Sequence, residues 1–242
     1  MKYLIYESIR KKMNKKLLGI IMLILFSISC IKDPLPNDQI TDIDGNVYHS
    51  VVIGTQEWLV ENLRVTTLND GTPINLVTAN IEWPYQVASA YCWYYNIPNE
   101  NGINGALYNW YTVNTGKLCI DGWHVPSDGE WKTLEIYLGM SQNDADKLTW
   151  RGEGLATLLK ATDYWYVLNG VGDTYGFKAI PAGYRFFLNG NYEGYEQSAI
   201  WWTSTDYDPD RAYFRNIITS ESSIYRGSTI KTNGFSVRCI KN

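Results

Sequence analysis

The sequence predicts an α+β domain in which antiparallel strands outnumber a few short helices. Three observations indicate this class. Turn dipeptides such as Asp44-Gly45 and Asn189-Gly190 separate short runs of β-branched and aromatic residues. Apolar residues at helical spacing lie only in the middle of the chain. The sequence also has no solenoid-period repeat and no low-complexity stretch, so we expect one compact domain with its own core.

The first 29 residues have the layout of a secretory signal. An apolar run of 13 residues, 17–29, follows a basic cluster formed by Lys11, Lys12, Lys15 and Lys16. A bilayer span needs about 20 apolar residues, so this run is short for a membrane helix. We therefore expect residues 1–29 to be removed, the alternative being a permanent anchor helix. Met13 opens a complete signal by itself, which leaves Met1 and Met13 as alternative starts.

Cys30 stands where the apolar run ends. Residues 26–30, Phe-Ser-Ile-Ser-Cys, resemble the lipobox of bacterial lipoproteins, although Ser27 stands where leucine is usual. The resemblance implies a lipid on Cys30, a linker over 30–40 and an extracytoplasmic protein at the outer membrane or cell surface. The lipid would tether rather than span, since each buried methylene contributes about 0.8 kcal/mol. The alternative is ordinary cleavage beside a chance cysteine.

The charge of the mature chain excludes one class of partner. Residues 1–29 hold six basic residues and one acidic residue, so removing them leaves 15 basic and 24 acidic residues and a net charge of −9. A nucleic-acid binder needs the opposite sign to neutralise phosphates. We therefore expect no nucleic-acid partner and a membrane contact made only through the lipid.

Three cysteines remain in the mature chain: Cys92, Cys119 and Cys239. An oxidising compartment permits one disulfide and leaves one thiol, and the residues alone leave all three pairings open. Their spacing does not match a zinc site, and His49 and His124 complete no ligand set. We therefore expect no metal and no cofactor.

Strand predictions cover both ends of the domain. Runs rich in valine, isoleucine and aromatic residues, bounded by turn residues, favour strands at 47–48, 51–53, 58–59, 177–184, 186–188, 200–205, 213–219, 223–226 and 235–240. The order indicates an antiparallel meander after the central helices.

The clearest helix prediction begins at Ser127. Ser127 and Glu130 form a capping box, in which each residue can satisfy a backbone N–H of the other. One apolar face then follows at spacings of three and four, at Trp131, Leu134 and Leu138. Gly139 fits the end of the helix. Residues 107–113 and 141–148 are predicted as further helices.

Several motifs resemble, in order, the blocks of one bacterial family. The Gly-Trp-His-Val-Pro-Ser-Asp-Gly-Glu-Trp motif is one of them, and the blocks lie at 42–48, 56–63, 69–74, 107–111, 122–131, 176–185, 201–205 and 233–239. The family is the Fibrobacter succinogenes major paralogous domain, found in exported and lipid-anchored proteins. The resemblance covers 41–241 and implies one domain over 41–242, but the family has no firmly assigned activity.

A more distant similarity points to the C-type lectin-like fold and its formylglycine-generating-enzyme relatives. It implies a compact domain whose N- and C-terminal strands pair. The calcium–sugar triplets of lectins and the paired C-terminal cysteines of the enzyme are absent, so we transfer neither site. Cys119 and Cys239 both lie in matching family blocks, which implies a bridge between them and a buried thiol at Cys92. The alternative is three free thiols.

Aromatic residues crowd residues 83–95, a stretch between the family blocks. We predict from this a stacking platform for a glycan or protein, formed by Trp83, Tyr85, Trp93, Tyr94 and Tyr95. Packing in the core is the alternative, and it is the preferred interpretation for the tryptophans inside the family blocks.

Other candidate sites are weaker. Asp206, Asp208 and Asp210 alternate as calcium ligands do, but the loop lacks the glycine and distal glutamate of an EF-hand, so we predict a solvated turn. His124 lies near Ser127, but capping explains that serine better than catalysis does.

Three arginines follow aromatic residues in predicted strands, at Arg185, Arg215 and Arg238. They indicate either ion bridges to acids such as Glu130 or a pocket for an anionic ligand.

The function expected from these features is that of a cell-envelope lipoprotein whose non-catalytic domain binds glycan or protein. The alternatives are a carbohydrate-active or modifying enzyme on the same fold and a purely structural surface protein. Converging carboxylates of raised pKa in a cleft would favour the enzyme. An exposed aromatic strip within residues 83–95 would favour binding.

Overall fold

Short antiparallel strands carry most of the fold, and the helices are few and short. The computed structural model describes residues 39–98, 103–166 and 172–242, and residues 39–242 form one compact unit. The predicted signal segment and Cys30 lie outside the described residues. Within them, no helix combines the length and the apolar character that crossing a bilayer requires. The prediction of small antiparallel sheets with few helices is confirmed.

The described part of the chain holds these strands: β1 (Ile40–Thr41), β2 (Val47–Tyr48), β3 (Ser50–Ile53), β4 (Gln56–Leu59), β5 (Asn75–Leu76), β6 (Ala90–Cys92), β7 (Leu107–Tyr108), β8 (Trp123–His124), β9 (Thr149–Arg151), β10 (Ala182–Arg185), β11 (Tyr192–Tyr195), β12 (Ser198–Asp206), β13 (Arg211–Ile218), β14 (Ile224–Ile230) and β15 (Ile240–Lys241). Its α-helices are α1 (Trp110–Val113), α2 (Asp128–Tyr137) and α3 (Gln142–Asp146), and its 3-10 helices are Trp83–Tyr85, Tyr94–Asn96 and Leu155–Leu158.

The sheet with the longest strands has the order β12-β13-β14-β9 and is antiparallel throughout. Successive side chains of a strand point to opposite faces, and β12 uses both faces for burial. Ile200 and Trp202 pack into one core cluster, which we call the first core cluster. Ala199 and Trp201 pack into another, the second core cluster. Burial on both faces explains why residues 199–202 of this strand, Ala-Ile-Trp-Trp, form a continuous apolar run instead of an alternating pattern.

A second four-stranded sheet joins the two ends of the domain, with the order β3-β4-β15-β8. Ile240 in the last strand lies opposite Trp58 on one side and His124 on the other. The last strand therefore pairs with an early strand, β4, and with β8. A three-stranded sheet, β5-β6-β7, and two hairpins, β1-β2 and β10-β11, complete the sheets.

Helix α2 begins as the sequence predicts. Ser127 Oγ accepts from the Glu130 backbone N–H at 3.2 Å, and Glu130 Oε2 accepts from the Ser127 N–H at 2.7 Å. Such a cap contributes about 1 kcal/mol. Trp131 and Leu134 then pack against Trp58 in the second core cluster. Both the start of the helix and its buried face are confirmed.

Buried charges link α2 to the long-stranded sheet. Arg215 donates to Glu135 Oε1 at 2.6 Å and to Asp128 Oδ1 at 2.8 Å, while Arg151 contacts Glu135 and Arg226 contacts Asp128. Burial alone would raise the pKa of Asp128, but the hydrogen bonds and charges of the two arginines outweigh it and lower the pKa to about 2. Arg215 is thus bridged to acids, although to these two rather than to Glu130.

A disulfide joins Cys119 to Cys239, with their Cα atoms 6.1 Å apart. It ties the segment before β8 to the residue that precedes β15, and both cysteines belong to the first core cluster. Cys92 is a buried free thiol, and burial raises its pKa to about 11. The structure therefore has the bridge that the family resemblance implied.

Several element predictions need correction. The predicted strand over 186–188 is a turn, and the predicted strand over 177–184 narrows to β10, Ala182–Arg185. The predicted helix over 107–113 is a strand followed by one helical turn, because Leu107 pairs with Cys92 in the sheet and Asn109 caps α1 from outside. The predicted strand over 235–240 narrows to β15, because Phe235 and Ser236 form only isolated bridges. Partners distant in sequence decide the last two cases.

Candidate functional site

An open cavity of about 590 Å³ lies between three segments that are far apart in the chain, and we call it the tyrosine groove. Its lining comes from a 3-10 helix and the residues after it, a loop before β7, and the end of β11: Tyr94, Tyr95, Ile97, Pro98, Asn104, Gly105 and Tyr195. Its volume is within the range of about 300–1,000 Å³ that is typical of ligand pockets.

Packed aromatic rings form the wall of the tyrosine groove. The Tyr94 ring stacks on Tyr195 with centroids 5.1 Å apart and meets Tyr95 edge-on at 4.8 Å. Tyr192 closes the cluster at 5.3 Å from both Tyr94 and Tyr95. Burial, with a smaller contribution from Tyr95, raises the pKa of Tyr94 to about 12, so this phenol is neutral at physiological pH.

The backbone is held in an unusual conformation where these rings project. Tyr95 and the next residue, Asn96, have backbone φ angles of 51° and 59°. These lie in the left-handed region, which residues other than glycine rarely adopt. Across the groove Gly183 has φ of 71°, and a Cβ there would lie 2.5 Å from Tyr94 Cε2. Strained residues cluster at functional sites more often than elsewhere, which draws attention to this groove.

A buried asparagine fixes the floor of the tyrosine groove. Asn62 Nδ2 donates to the Asn104 carbonyl at 3.0 Å, and its Oδ1 accepts from Trp201 at 2.8 Å and from Arg238 at 3.1 Å. The absence of a side chain at Gly105 is required, since a Cβ would lie 2.6 Å from Asn62 Cβ. Sequence reasoning missed these residues because Asn62 and Asn104 are 42 positions apart.

A second cavity, of about 450 Å³, adjoins the first through Tyr95, and we call it the amide groove because asparagines dominate it. Its lining residues are Asn80, Tyr95, Asn96, Asn191, Tyr192 and Glu193.

Hydrogen bonds between these polar groups hold them in place. Asn80 Nδ2 donates to Asn191 Oδ1 at 3.0 Å, and Tyr192 Oη donates to Asn96 Oδ1 at 2.7 Å. Glu193 Oε2 accepts from Tyr184 Oη at 2.7 Å, and burial together with this carboxylate raises the pKa of the tyrosine.

Arg185 supports the amide groove from below. The guanidinium is fully buried and donates to backbone carbonyls of two loops and to Asn80 Oδ1 at 3.1 Å. It also lies over the rings of Trp83, at 4.5 Å, and Tyr192, at 4.9 Å. Uncharged hydrogen-bond acceptors and aromatic rings therefore surround the guanidinium of Arg185. The alternative of an exposed anion pocket at Arg185 is therefore wrong.

The structure places the five predicted platform residues in different environments. Tyr94 and Tyr95 line the tyrosine groove, and Tyr95 is 63% exposed. Tyr85 is 77% exposed but lines none of the three cavities described here. Trp93 is half-buried and packs against the first core cluster, with its ring edge-on to Tyr91. A single platform over 83–95 is therefore not formed.

Trp83 is a correction. The side chain is 0% exposed and belongs to a small core cluster with Ala90 and Cys92, and its ring covers Arg185. A Cβ on Gly234 would lie 2.8 Å from this ring, so the backbone itself closes over it. With no exposed face, Trp83 cannot stack on a ligand.

The third cavity, about 500 Å³, is charged instead of aromatic, and we call it the charged cavity. His49 Nδ1 lies 2.7 Å from Glu61 Oε1. Burial raises the pKa of Asp173, whose Oδ1 accepts from the Lys178 N–H at 2.8 Å. Besides Tyr164, the ionisable residues that line this cavity are His49, Glu61, Arg64, Asp163, Asp173 and Lys178.

The motifs judged weaker from sequence have structural roles. His124 Nε2 contacts Glu130 at 2.7 Å, and Ser127 is occupied by the helix cap. In the acidic loop, Asp208 pairs with Arg211 and Asp206 pairs with Lys231. No group of three or more metal-ligating side chains occurs within 39–98, 103–166 and 172–242.

Fold and site together define a disulfide-bridged, strand-rich domain with two adjoining grooves that are aromatic and amide-rich. The chain belongs to the Fibrobacter succinogenes major domain family, whose model matches residues 51–241. Neither the comparison with curated proteins nor that with solved structures found a match.

Proposed function

We propose that the chain is an exported lipoprotein of the cell envelope whose domain binds a glycan or a protein in the tyrosine groove, without chemistry. The chemical nature of this groove carries the proposal. Tyr95 and Tyr195 offer exposed rings, 63% and 44% accessible, and Ile97 adds apolar surface. The residues described as lining it include no carboxylate, imidazole, amine or thiol. Such a lining suits binding better than acid–base or nucleophilic catalysis.

Export and anchoring rest on the N-terminal sequence. Residues 1–29 have the order of a signal peptide, and Cys30 follows in a lipobox-like context. The Cys119–Cys239 bridge supports the same location, since disulfides persist in oxidising compartments. The partners on this proposal are an external glycan or cell-surface protein and the outer membrane, reached through the lipid, with no nucleic acid.

A C-type lectin-like fold is part of the proposal. Two features support it: the pairing of the last strand, β15, with the early strand β4, and the capped helix α2 against the core. In this fold the tyrosine groove would act through aromatic contact and without a calcium ion, since the lectin triplets are absent from the sequence. Fold does not fix function, so the groove carries the functional argument.

The test compares two exposed tyrosines. Full-length protein, solubilised from membranes, is applied to a glycan array and to arrayed extracellular proteins. The Tyr95→Ala variant is expected to lose most binding, whereas Tyr85→Ala, at a comparably exposed ring outside the groove, should bind like the wild type. Equal binding by all three proteins would reject the groove as the site. Absence of any ligand would favour the purely structural role.

One observation favours a second candidate, a carbohydrate-active or modifying enzyme. Glu61, Asp163 and Asp173 line the charged cavity together, and burial raises the pKa of Asp173. A carboxyl group with a raised pKa is suited to act as a general acid. Hydrolysis of arrayed oligosaccharides that is lost in Asp173→Asn but kept in Tyr95→Ala would support this candidate over the first.

A further inference from the structure

The geometry points to a neutral oligosaccharide as the ligand, seated across both grooves with one sugar ring against Tyr95 and its hydroxyl groups on the amide groove. This inference rests on the proposed binding function and names the ligand class of the same site. It follows from the charge, the apolar surface and the fixed polar groups of the two grooves.

The linings of these two grooves carry far less charge than the lining of the charged cavity. Of the twelve described residues that line the two grooves, Glu193 alone carries a formal charge. The charged cavity, also lined by twelve residues, has Glu61, Arg64, Asp163 and Asp173 among its charged groups. A strongly anionic or cationic ligand would need opposite charges around it, since burying an unpaired charge is costly. The lining therefore favours a ligand without net charge.

Aromatic surface in the tyrosine groove suits the apolar face of a sugar ring. Tyr95 lies at the junction of the two grooves and is 63% exposed, and Tyr195 and Ile97 extend the surface. The large apolar face of a tyrosine ring fits the apolar face of a sugar ring, while other groups must meet the hydroxyls at the sugar's edges. The packing of Tyr95 against Tyr94 and Tyr192 limits the rotation of its ring, so little conformational entropy remains to be lost on binding.

Polar groups in the amide groove match hydroxyl groups, which both donate and accept. Asparagine amides offer donors and acceptors together, and a carboxylate accepts through two oxygens. Asn191 Oδ1 is taken by Asn80, which orients the Asn191 amide. Glu193 Oε2 is taken by Tyr184, and no described residue takes Oε1, which remains as an acceptor. Adjacent donors and acceptors of this kind are what a pair of neighbouring hydroxyls requires.

Buried contacts fix the amide groove before any ligand arrives. Arg185 orients Asn80, Asn80 orients Asn191, and Tyr192 orients Asn96. A site whose polar groups are already ordered loses less freedom on binding than a mobile one. This order makes weak individual contacts to hydroxyls useful for selective recognition.

The experiment uses the solubilised full-length protein and an array of neutral gluco-, xylo-, manno- and N-acetylglucosamine oligosaccharides, printed beside sulfated and sialylated forms. We expect binding to a neutral series. Calorimetry with the best neutral ligand should show affinity lowered at least tenfold by Tyr95→Ala and by Asn191→Ala and about threefold by Glu193→Gln. The affinity of Tyr95→Phe and of the control Tyr85→Ala should stay within twofold of the wild type.

The outcomes distinguish this inference from the function it rests on. Preference for sulfated or sialylated forms, or no binding to any saccharide, overturns the inference. If no saccharide binds but an arrayed protein is captured and lost in Tyr95→Ala, the binding function stands and the inference falls. If Tyr95→Ala leaves binding to every arrayed ligand unchanged, both the inference and the proposed binding function fall. A melting temperature of Tyr95→Ala close to that of the wild type excludes misfolding as the cause of a loss, and retention by Tyr95→Phe assigns the contact to the ring.

Discussion

Removal of the disulfide gives the most quantitative prediction. The bridge closes a loop of 120 residues between Cys119 and Cys239. The chain-entropy relation for a loop of this length gives about 4.9 kcal/mol of stabilisation at 25 °C. Unfolding entropy of about 2.1 cal/mol/K per residue gives about 0.43 kcal/mol/K over residues 39–242. The double variant Cys119→Ala/Cys239→Ala should therefore melt about 11 °C below the wild type.

Calorimetric melting with and without reductant tests this value. Reductant should lower the Tm of the wild type toward that of the double variant and leave the variant unchanged. Cys92→Ala provides the matched control, because it removes a buried sulfur outside the bridge and should cost about 1 kcal/mol, or about 2 °C. A double variant that melts within about 4 °C of the wild type would refute the loop-entropy reasoning.

Three further predictions concern charge and packing. Glu135→Gln leaves the buried Arg151 without its carboxylate and leaves Arg215 with Asp128 alone, so it should cost about 3–5 kcal/mol in urea unfolding. A loss under about 1 kcal/mol would contradict this prediction. The folded pKa of Asp128, about 2, lies below its ordinary value of 3.8, so its stabilisation is complete above pH 4 and is lost as pH falls toward 2. The acid-unfolding curve of Asp128→Asn, followed by circular dichroism, should be flatter there, and an unchanged slope would oppose this assignment. Trp83→Ala should cost about 3–5 kcal/mol in urea unfolding, and an unchanged midpoint would contradict a core role.

Features fixed by neighbouring residues could be predicted from the sequence. The Ser127–Glu130 capping box and the apolar face of α2 need only residues a few positions apart. Strand β12 is predicted over 200–205 because most of its residues are β-branched or aromatic, which is a local signal. The bridge was available only through the family resemblance, since the cysteines alone left three pairings open.

The candidate site could be predicted only in part, because it is built from distant segments. Aromatic density found Tyr94 and Tyr95, but nothing in the sequence joins them to Tyr195 on β11 or to Gly105. The same density included Trp83, whose burial depends on Arg185, 102 positions further along the chain. Composition indicates that aromatic side chains are present, and the fold decides which of them face solvent.

Export is the property on which the disulfide, the lipid tether and an external ligand all depend. Intact-mass and peptide mass spectrometry of the protein from native membranes tests this directly. We predict that residues 1–29 are absent and that Cys30 is the first residue, carrying a thioether-linked diacylglycerol. An intact N-terminus with an unmodified Cys30 thiol would contradict the proposed location and function.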